Sequence, residues 1–200
     1  MKKMLGIIKE MSKLQATTDL SEMGIAISEA KKQVAEAKLE LANAKSKINS
    51  INLNCASSDI RVFISVDKNQ IGSAEKGLGD VGAYLDAVGV FVDSGQRFTK
   101  VTAAVESNRI DEAIEHVRGA RQLNSEAKQQ FSRLASSDLI EIATTSVALK
   151  NRLVIMEEAY NQFEEGLIAA KSGNERRALE LIEEVNAKFA AFAVIASQKP

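Results

Sequence analysis

Residues 20–55 read LSEMGIAISEAKKQVAEAKLELANAKSKINSINLNC, and the spacing of their apolar side chains decides the fold. Alternate steps of three and four along this stretch meet no polar residue. A β-strand would instead alternate apolar and polar side chains with a period of two. The spacing therefore predicts a long amphipathic α-helix with one apolar side. The series is Leu20, Met23, Ile27, Ala30, Val34, Ala37, Leu41, Ala44, Ile48, Ile51 and Cys55.

The same seven-residue period recurs in four later segments, which begin at Ile71, Ile110, Leu139 and Ala178. The one proline is Pro200, so the strongest helix breaker is absent from the rest of the chain. Short polar connections between periodic segments force consecutive helices to run antiparallel. We predict an all-α fold, an elongated antiparallel helical bundle with a long coiled-coil-like helical hairpin. The predicted helices cover about 3–15, 19–54, 58–105, 109–135, 138–171 and 175–197.

These helices form three predicted parts: an N-terminal amphipathic helix at 1–16, the long hairpin at 19–105, and a three-helix part of the same bundle at 109–197. Helix-start signals mark the boundaries. Asp19, Asn108 and Asn174 are each predicted to cap the helix that follows, because their short polar side chains can accept from its first backbone N–H groups. Gly173 is predicted to end the helix that precedes it.

Residues 51–66 leave two interpretations open. Ile60, Val62, Ile64 and Val66 also satisfy a period of two, which would suit a short β-hairpin at the tip of the helical hairpin. We favour the helix because Ser58 and Asp59 form a good helix start and the seven-residue period resumes further on.

The composition excludes several classes of function. One cysteine cannot form an internal disulfide framework, and one histidine with one cysteine cannot supply a structural zinc site or a di-iron centre. The formal net charge of -1 gives no electrostatic reason to bind nucleic acid. His116 follows Glu112 by four residues, which is the spacing of a surface pair on one helix. We therefore predict no enzyme activity, no cofactor and no metal, and we expect a cytoplasmic protein.

The N-terminal segment is the most informative feature outside the predicted core. On a helical projection Met4, Leu5, Ile7, Ile8, Met11 and Leu14 lie on one side, and Lys2, Lys3, Lys9, Glu10 and Lys13 lie on the other. A basic amphipathic helix suits an interfacial membrane anchor, a helix that docks on a partner, or a lid on its own bundle. The candidate interaction or membrane residues here are Met4, Leu5, Ile8, Met11, Lys2, Lys3, Lys9 and Lys13.

Six of the eleven glycines lie between Gly72 and Gly95, within one predicted helix. Each costs about 1 kcal/mol in a helix interior relative to alanine, so the cluster needs a reason. The three explanations are close helix–helix packing, a hinge or unwound segment, and a segment that changes environment. The candidate residues are Gly77, Gly79, Gly82 and Gly89.

An internal echo links residues 103–117, AAVESNRIDEAIEHV, to residues 169–182, AAKSGNERRALELI. The first stretch resembles the second half of a tetratricopeptide repeat. The two echoes are near 65 residues apart, whereas about 34 would fit that family, and the preceding helices lack its sequence pattern. We interpret the likeness as a shared helix–turn–helix signature and take no function from it.

The sequence thus predicts a non-enzymatic helical-bundle scaffold or protein–protein interaction protein that binds protein partners and self-associates. The alternative is a membrane-active helical protein, pore-forming or membrane-remodelling, that uses the N-terminal amphipathic helix and the glycine-rich segment 77–92 on an anionic membrane surface.

Overall fold

The computed structural model describes residues 19–51 and 57–197, and describes side chains as far as residue 188. Those residues form five α-helices and no β-strand. The all-α class and the helical bundle are therefore confirmed. The predicted helix at 3–15 lies outside the described residues. The helices are α1 (Leu20–Asn49), α2 (Ser58–Glu106), α3 (Ile110–Leu134), α4 (Ile140–Lys171) and α5 (Glu175–Ser197).

The seven-residue period identifies the inward side of the helices. In α1 the buried members of the predicted series are Ile27, Ala30 and Val34, and the remaining members up to Ile48 are partly buried. The agreement is closest in α3, where every member of the series after Ile110 is buried. Those members are Ala113, Val117, Ala120, Asn124, Ala127, Phe131 and Leu134.

Two of the three predicted caps are confirmed. The Asp19 carboxylate accepts from the backbone N–H of Ser21 at 2.7 Å and of Glu22 at 3.1 Å, which satisfies two donors at the start of α1. The Asn174 side chain accepts from the backbone N–H of Arg177 at 3.3 Å at the start of α5. Gly173 ends α4 with a φ of 78°, as predicted.

The predicted cap at Asn108 is wrong. Asn108 has a φ of 54° and ends α2, while Arg109 precedes α3 without a side-chain capping bond. The backbone N–H of Asn108 donates to the Val105 carbonyl at 2.9 Å, and that of Arg109 donates to the Ala104 carbonyl at 2.8 Å. This is the bonding pattern of a Schellman motif, in which asparagine replaces glycine in the left-handed position. Sequence reasoning assigned Asn108 to the wrong helix because asparagine suits both roles.

The helical interpretation of the stretch around residue 60 is confirmed for the residues described. Ser58–Glu106 is one continuous helix, so Ile60, Val62, Ile64 and Val66 do not form a strand. The Ser57 hydroxyl accepts from the backbone N–H of Ile60 at 3.4 Å, which moves the start signal one residue ahead of the predicted Ser58. Residues 52–56, including Cys55, lie outside the described part of the chain.

The chain divides into two compact units, and the boundary falls inside α2. The first unit contains the described residues up to Leu85 together with Ser137–Ile142. Here α1 and α2 run antiparallel, since Val34 lies beside Gly82 whereas Lys45 pairs with Glu75. The connection before α4 also contacts α2, because the Ser137 hydroxyl donates to the Asp80 carboxylate at 2.5 Å.

The second unit contains Asp86–Ser136 and the described residues from Ala143 onward. Its largest fully buried side chains include Tyr160, Phe131 and Leu153. The Phe98 ring packs against the rings of Tyr160 and Phe163, with centroids 5.0 Å and 5.6 Å away. These contacts give this unit a core of large side chains contributed by α2, α3 and α4.

Polar groups join α3 to α4 in the second unit. The Glu164 carboxylate accepts from Arg118 Nε at 2.5 Å and from Arg121 Nη1 at 2.8 Å, although the Glu164 side chain is only 10% exposed. Asn124, the polar member of the α3 series, is fully buried and donates through Nδ2 to the Leu153 carbonyl at 2.9 Å. A buried polar group with one matching partner favours one helix register over its alternatives.

Candidate interaction surface

A patch of large apolar side chains lies on the solvent side of α2 near its start. Ile60 is 50% exposed, Val62 63%, Phe63 68% and Val66 46%, and we call these four residues the 60–66 face. At about 100° per residue they cover an arc of roughly 160° on the helix. Ile64, in the same stretch, is buried, so the helix turns one apolar side inward and leaves another in water. Scattered exposed apolar residues are ordinary, whereas a contiguous group indicates a contact surface.

The register of the first unit explains why this face is exposed. Lys45 Nζ lies 2.8 Å from Glu75 Oε2, and α1 ends at Asn49, four residues after that lysine. Because the two helices are antiparallel, the last turn of α1 lies near residue 71 of α2. The 60–66 face therefore lies past the end of α1. No residue of α1 is placed to cover it.

The charged residues around the 60–66 face balance one another. Asp59 and Asp67 carry two negative charges, and Arg61 and Lys68 carry two positive charges. The surface therefore offers apolar contact without a net field that would select a charged partner. Phe63 lies near the middle of the arc, and central aromatic side chains are the usual source of binding energy in protein interfaces.

Sequence reasoning did not name this face as a site. The sequence pattern assigns Ile60, Val62 and Val66 only to one side of a possible strand, and it does not single out Phe63. A signal was present, however. Extending the three-and-four series backward from Ile71 passes through Asp67, Ile64 and Ile60, so Val62, Phe63 and Val66 fall outside the inward series. Large apolar residues outside the buried side of a helix should have predicted an exposed patch.

The glycine-rich part of α2 is placed by the structure, and close packing does not explain it at most described positions. A Cβ built at Gly72 or Gly79 meets no atom within 4 Å. At Gly77 the nearest atom is 3.7 Å away on Leu139, and at Gly82 it is 3.5 Å away on Lys38, which are ordinary contact distances. Alanine would fit at all four sites. The packing explanation is therefore wrong for them.

The segment is not unwound, because α2 remains helical through the whole glycine-rich stretch, including the partly buried Gly89. A hinge and a segment that changes environment stay predictions. Gly77, Gly79, Gly82 and Gly89 do not converge on a site. Gly77 lies beside Leu139, whereas Gly82 lies beside Lys38 and Val34 of α1.

A cavity of about 240 Å³ lies beside the glycine-rich stretch in the first unit. Its polar groups bond to one another. Lys76 Nζ donates to Asp138 at 2.5 Å, and Asp80 accepts from Ser137. The hydrogen bond and charge of Asp138 raise the pKa of Lys76, so the ammonium stays charged and paired. The cavity lies where α2 contacts the connection that precedes α4. We interpret it as part of that packing contact and not as a binding site. It is lined by Ser73, Lys76, Gly77, Asp80, Asp138 and Leu139.

His116 is the one histidine of the chain, and it lies beside a carboxylate of its own helix. His116 Nε2 lies 3.5 Å from Glu112 Oε1, as predicted for a pair on one helix, and Glu112 also accepts from Arg109 at 2.5 Å. Within 19–51 and 57–197 no group of three or more His, Cys, Asp or Glu residues could hold a metal ion. Among the same residues, no helix has the length and apolar character needed to cross a membrane.

The predicted N-terminal candidates lie outside the described residues, so the structure does not place them. They are Lys2, Lys3, Met4, Leu5, Ile8, Lys9, Met11 and Lys13.

In comparisons with known proteins, no family model, no curated protein and no solved structure matches the chain. The candidate surface is therefore argued from its own geometry.

Proposed function

We propose that this chain is a non-enzymatic helical-bundle interaction protein that associates with further copies of itself through the 60–66 face. The observation that carries the proposal is Phe63, which is 68% exposed among three other exposed apolar side chains on one side of α2. Removing such a patch from water favours association at about 25 cal/mol per Å² of apolar area.

The size of the patch supports a specific contact. Four half-exposed apolar side chains present on the order of a few hundred Å², which is the size of the largest patch on a typical monomer and is often functional. Burying that area supplies several kcal/mol toward association, before the cost of lost translational and rotational freedom. The contact we propose is therefore weak and reversible. We place the protein in the cytoplasm, where a single cysteine stays reduced.

Light scattering across a dilution series tests self-association. We expect the mean particle mass of the full chain to fall from a multiple of 21.6 kDa toward 21.6 kDa as the concentration falls through the micromolar range. A mass of one chain at every concentration up to a few hundred micromolar would contradict the proposal.

A second candidate function is membrane activity, and the glycines of α2 favour it. Gly72 and Gly79 have room for a methyl group, so packing does not require glycine there. A helix weakened in this way suits a segment that must rearrange when it meets an anionic membrane surface. The basic N-terminal segment with Lys2, Lys3, Lys9 and Lys13 would supply the first attraction.

Co-sedimentation with vesicles separates this candidate from the first. Membrane activity predicts that the full chain pellets with phosphatidylserine-containing vesicles and stays in solution with phosphatidylcholine vesicles. Replacing Lys9 and Lys13 by glutamine should then release the chain from the pellet. A chain that stays in solution with both vesicle types is not membrane-active by this route.

A further inference from the structure

We propose that the occupant of the 60–66 face is the N-terminal segment, residues 2–14, of a second copy of this chain. The inference rests on the proposed self-association and names the partner surface. This segment has an apolar side in helical projection, with Met4, Ile8 and Met11 at helical spacing. A helix laid along another helix buries such a side against a stripe of matching width.

The segment of the same chain cannot reach this face as a helix. Leu20 lies fourteen residues before Val34, and Phe63 lies nineteen residues before Gly82, which is beside Val34. Because α1 and α2 are antiparallel, these stretches add, and Leu20 is roughly 50 Å from Phe63 along the helix axes. Residues 15–19 fully extended, with half of a helix at 4–14, carry the centre of the segment only about 25 Å from Leu20.

Contact between two 60–66 faces alone is too small for a stable pair. Each face offers a few hundred Å², whereas a stable protein interface buries about 800 Å² on each partner. An exchange of N-terminal segments removes this shortfall because it forms two contacts at once. Two copies that lie antiparallel place Leu20 of each near the 60–66 face of the other, within reach of the segment. Such an exchange is a closed two-fold arrangement in which the same two surfaces meet twice.

Two full-length variants test the pairing. Phe63→Ser removes the centre of the 60–66 face and leaves the N-terminal segment intact. Ile8→Ser combined with Met11→Ser removes the apolar side of the segment and leaves the face intact. We expect the dissociation constant for self-association of each variant alone to be at least tenfold higher than that of the wild type. Leu39→Ser is the matched control, since Leu39 is 64% exposed on α1 and should change nothing.

Mixing the two variants gives the decisive result. A mixed pair keeps one intact contact between a segment and a face, whereas a pair of either variant alone keeps none. We therefore expect sedimentation velocity to show a heterodimer that neither variant forms alone and that dissociates more readily than the wild-type pair. Circular dichroism should show wild-type helix content for both variants. If the Ile8/Met11 variant associates like the wild type while Phe63→Ser does not, residues 2–14 are not the occupant, although self-association stands. If the wild type itself never associates, the proposed function fails.

Cross-linking adds a readout that does not depend on substitution. Equal amounts of unlabelled and ¹⁵N-labelled chain are mixed, dissociated by dilution, concentrated and treated with a lysine cross-linker. We expect links from Lys9 or Lys13 to Lys68, at the end of the 60–66 face, in mixed light–heavy pairs. Links found only within a single isotope form would place the segment on its own chain and overturn the exchange.

Discussion

Lys45 on α1 and Glu75 on α2 form an ion pair in which Nζ and Oε2 are 2.8 Å apart. The pair shows the register of the two antiparallel helices of the first unit, that is, which of their residues lie side by side. With this register α1 ends before it reaches the 60–66 face, and the apolar side chains of that face remain in water. The pair is half exposed, so its own contribution to stability is small. The register follows mainly from the buried side chains Ile27, Ala30 and Val34.

Replacing Gly79 by alanine should stabilise the protein. A Cβ at this position meets nothing within 4 Å, and alanine removes the entropic cost of glycine in a helix, so the free energy of unfolding should rise by up to about 1 kcal/mol. Gly173→Ala is the opposite control. Its φ of 78° is unfavourable for a residue with a Cβ, so it should lower the free energy of unfolding by about 1–2 kcal/mol. Urea unfolding followed by circular dichroism measures both. Destabilisation by Gly79→Ala would show that close packing does require that glycine.

Glu164→Gln should destabilise the second unit. The carboxylate is only 10% exposed and accepts from Arg118 and Arg121, so removing its charge weakens two charge-assisted hydrogen bonds. We expect a loss of about 1–2 kcal/mol in the free energy of unfolding, reduced by the partial exposure of both arginines. Glu180→Gln should have almost no effect, because its partners Arg176 and Arg177 are 93% and 48% exposed and Glu180 itself is 47% exposed. Equal effects of the two substitutions in urea unfolding would contradict this ranking.

Both tyrosines of the chain should ionise late. Burial raises the pKa of Tyr84 to about 12, and burial also raises the pKa of Tyr160. In the unfolded chain a tyrosine ionises near pH 10, so the folded state binds more protons above that pH. The contribution of Tyr84 to stability is therefore complete below pH 10 and is lost by about 1.4 kcal/mol per pH unit between pH 10 and 12. Phenolate absorbance near 295 nm at pH 10.5 should be lower in the folded protein than in the chain unfolded in urea. Equal absorbance in the folded and unfolded protein would contradict the burial of the tyrosines.

Asp19→Ala should weaken the start of α1. The carboxylate accepts from two backbone N–H groups of the first turn, and its loss should cost about 1 kcal/mol. Asp19→Asn keeps an oxygen acceptor and should retain most of that stability. Thermal unfolding by circular dichroism compares the three proteins. Equal loss in both variants would indicate that the charge of Asp19, and not its capping bonds, matters.

The helices could be predicted from the sequence because burial in a bundle repeats with the helix period. In α3 every member of the predicted series from Ala113 to Leu134 is buried. The exchange of roles at Asn108 could not be predicted, since one asparagine can either cap a helix or adopt the left-handed conformation that ends one. The exposure of the 60–66 face depends on where α1 ends relative to α2. That register depends on packing between residues that are distant in the sequence, such as Val34 beside Gly82.

Sedimentation velocity of the wild type and of Phe63→Ser, at one concentration in the tens of micromolar, tests the interaction function most directly. Phe63 is mostly exposed, so its replacement should leave the fold intact while removing the centre of the 60–66 face. We predict that the wild type sediments as more than one chain, that Leu39→Ser does the same, and that Phe63→Ser sediments as a single 21.6 kDa chain. Identical sedimentation of the wild type and Phe63→Ser would contradict the assignment of this face as the surface of self-association.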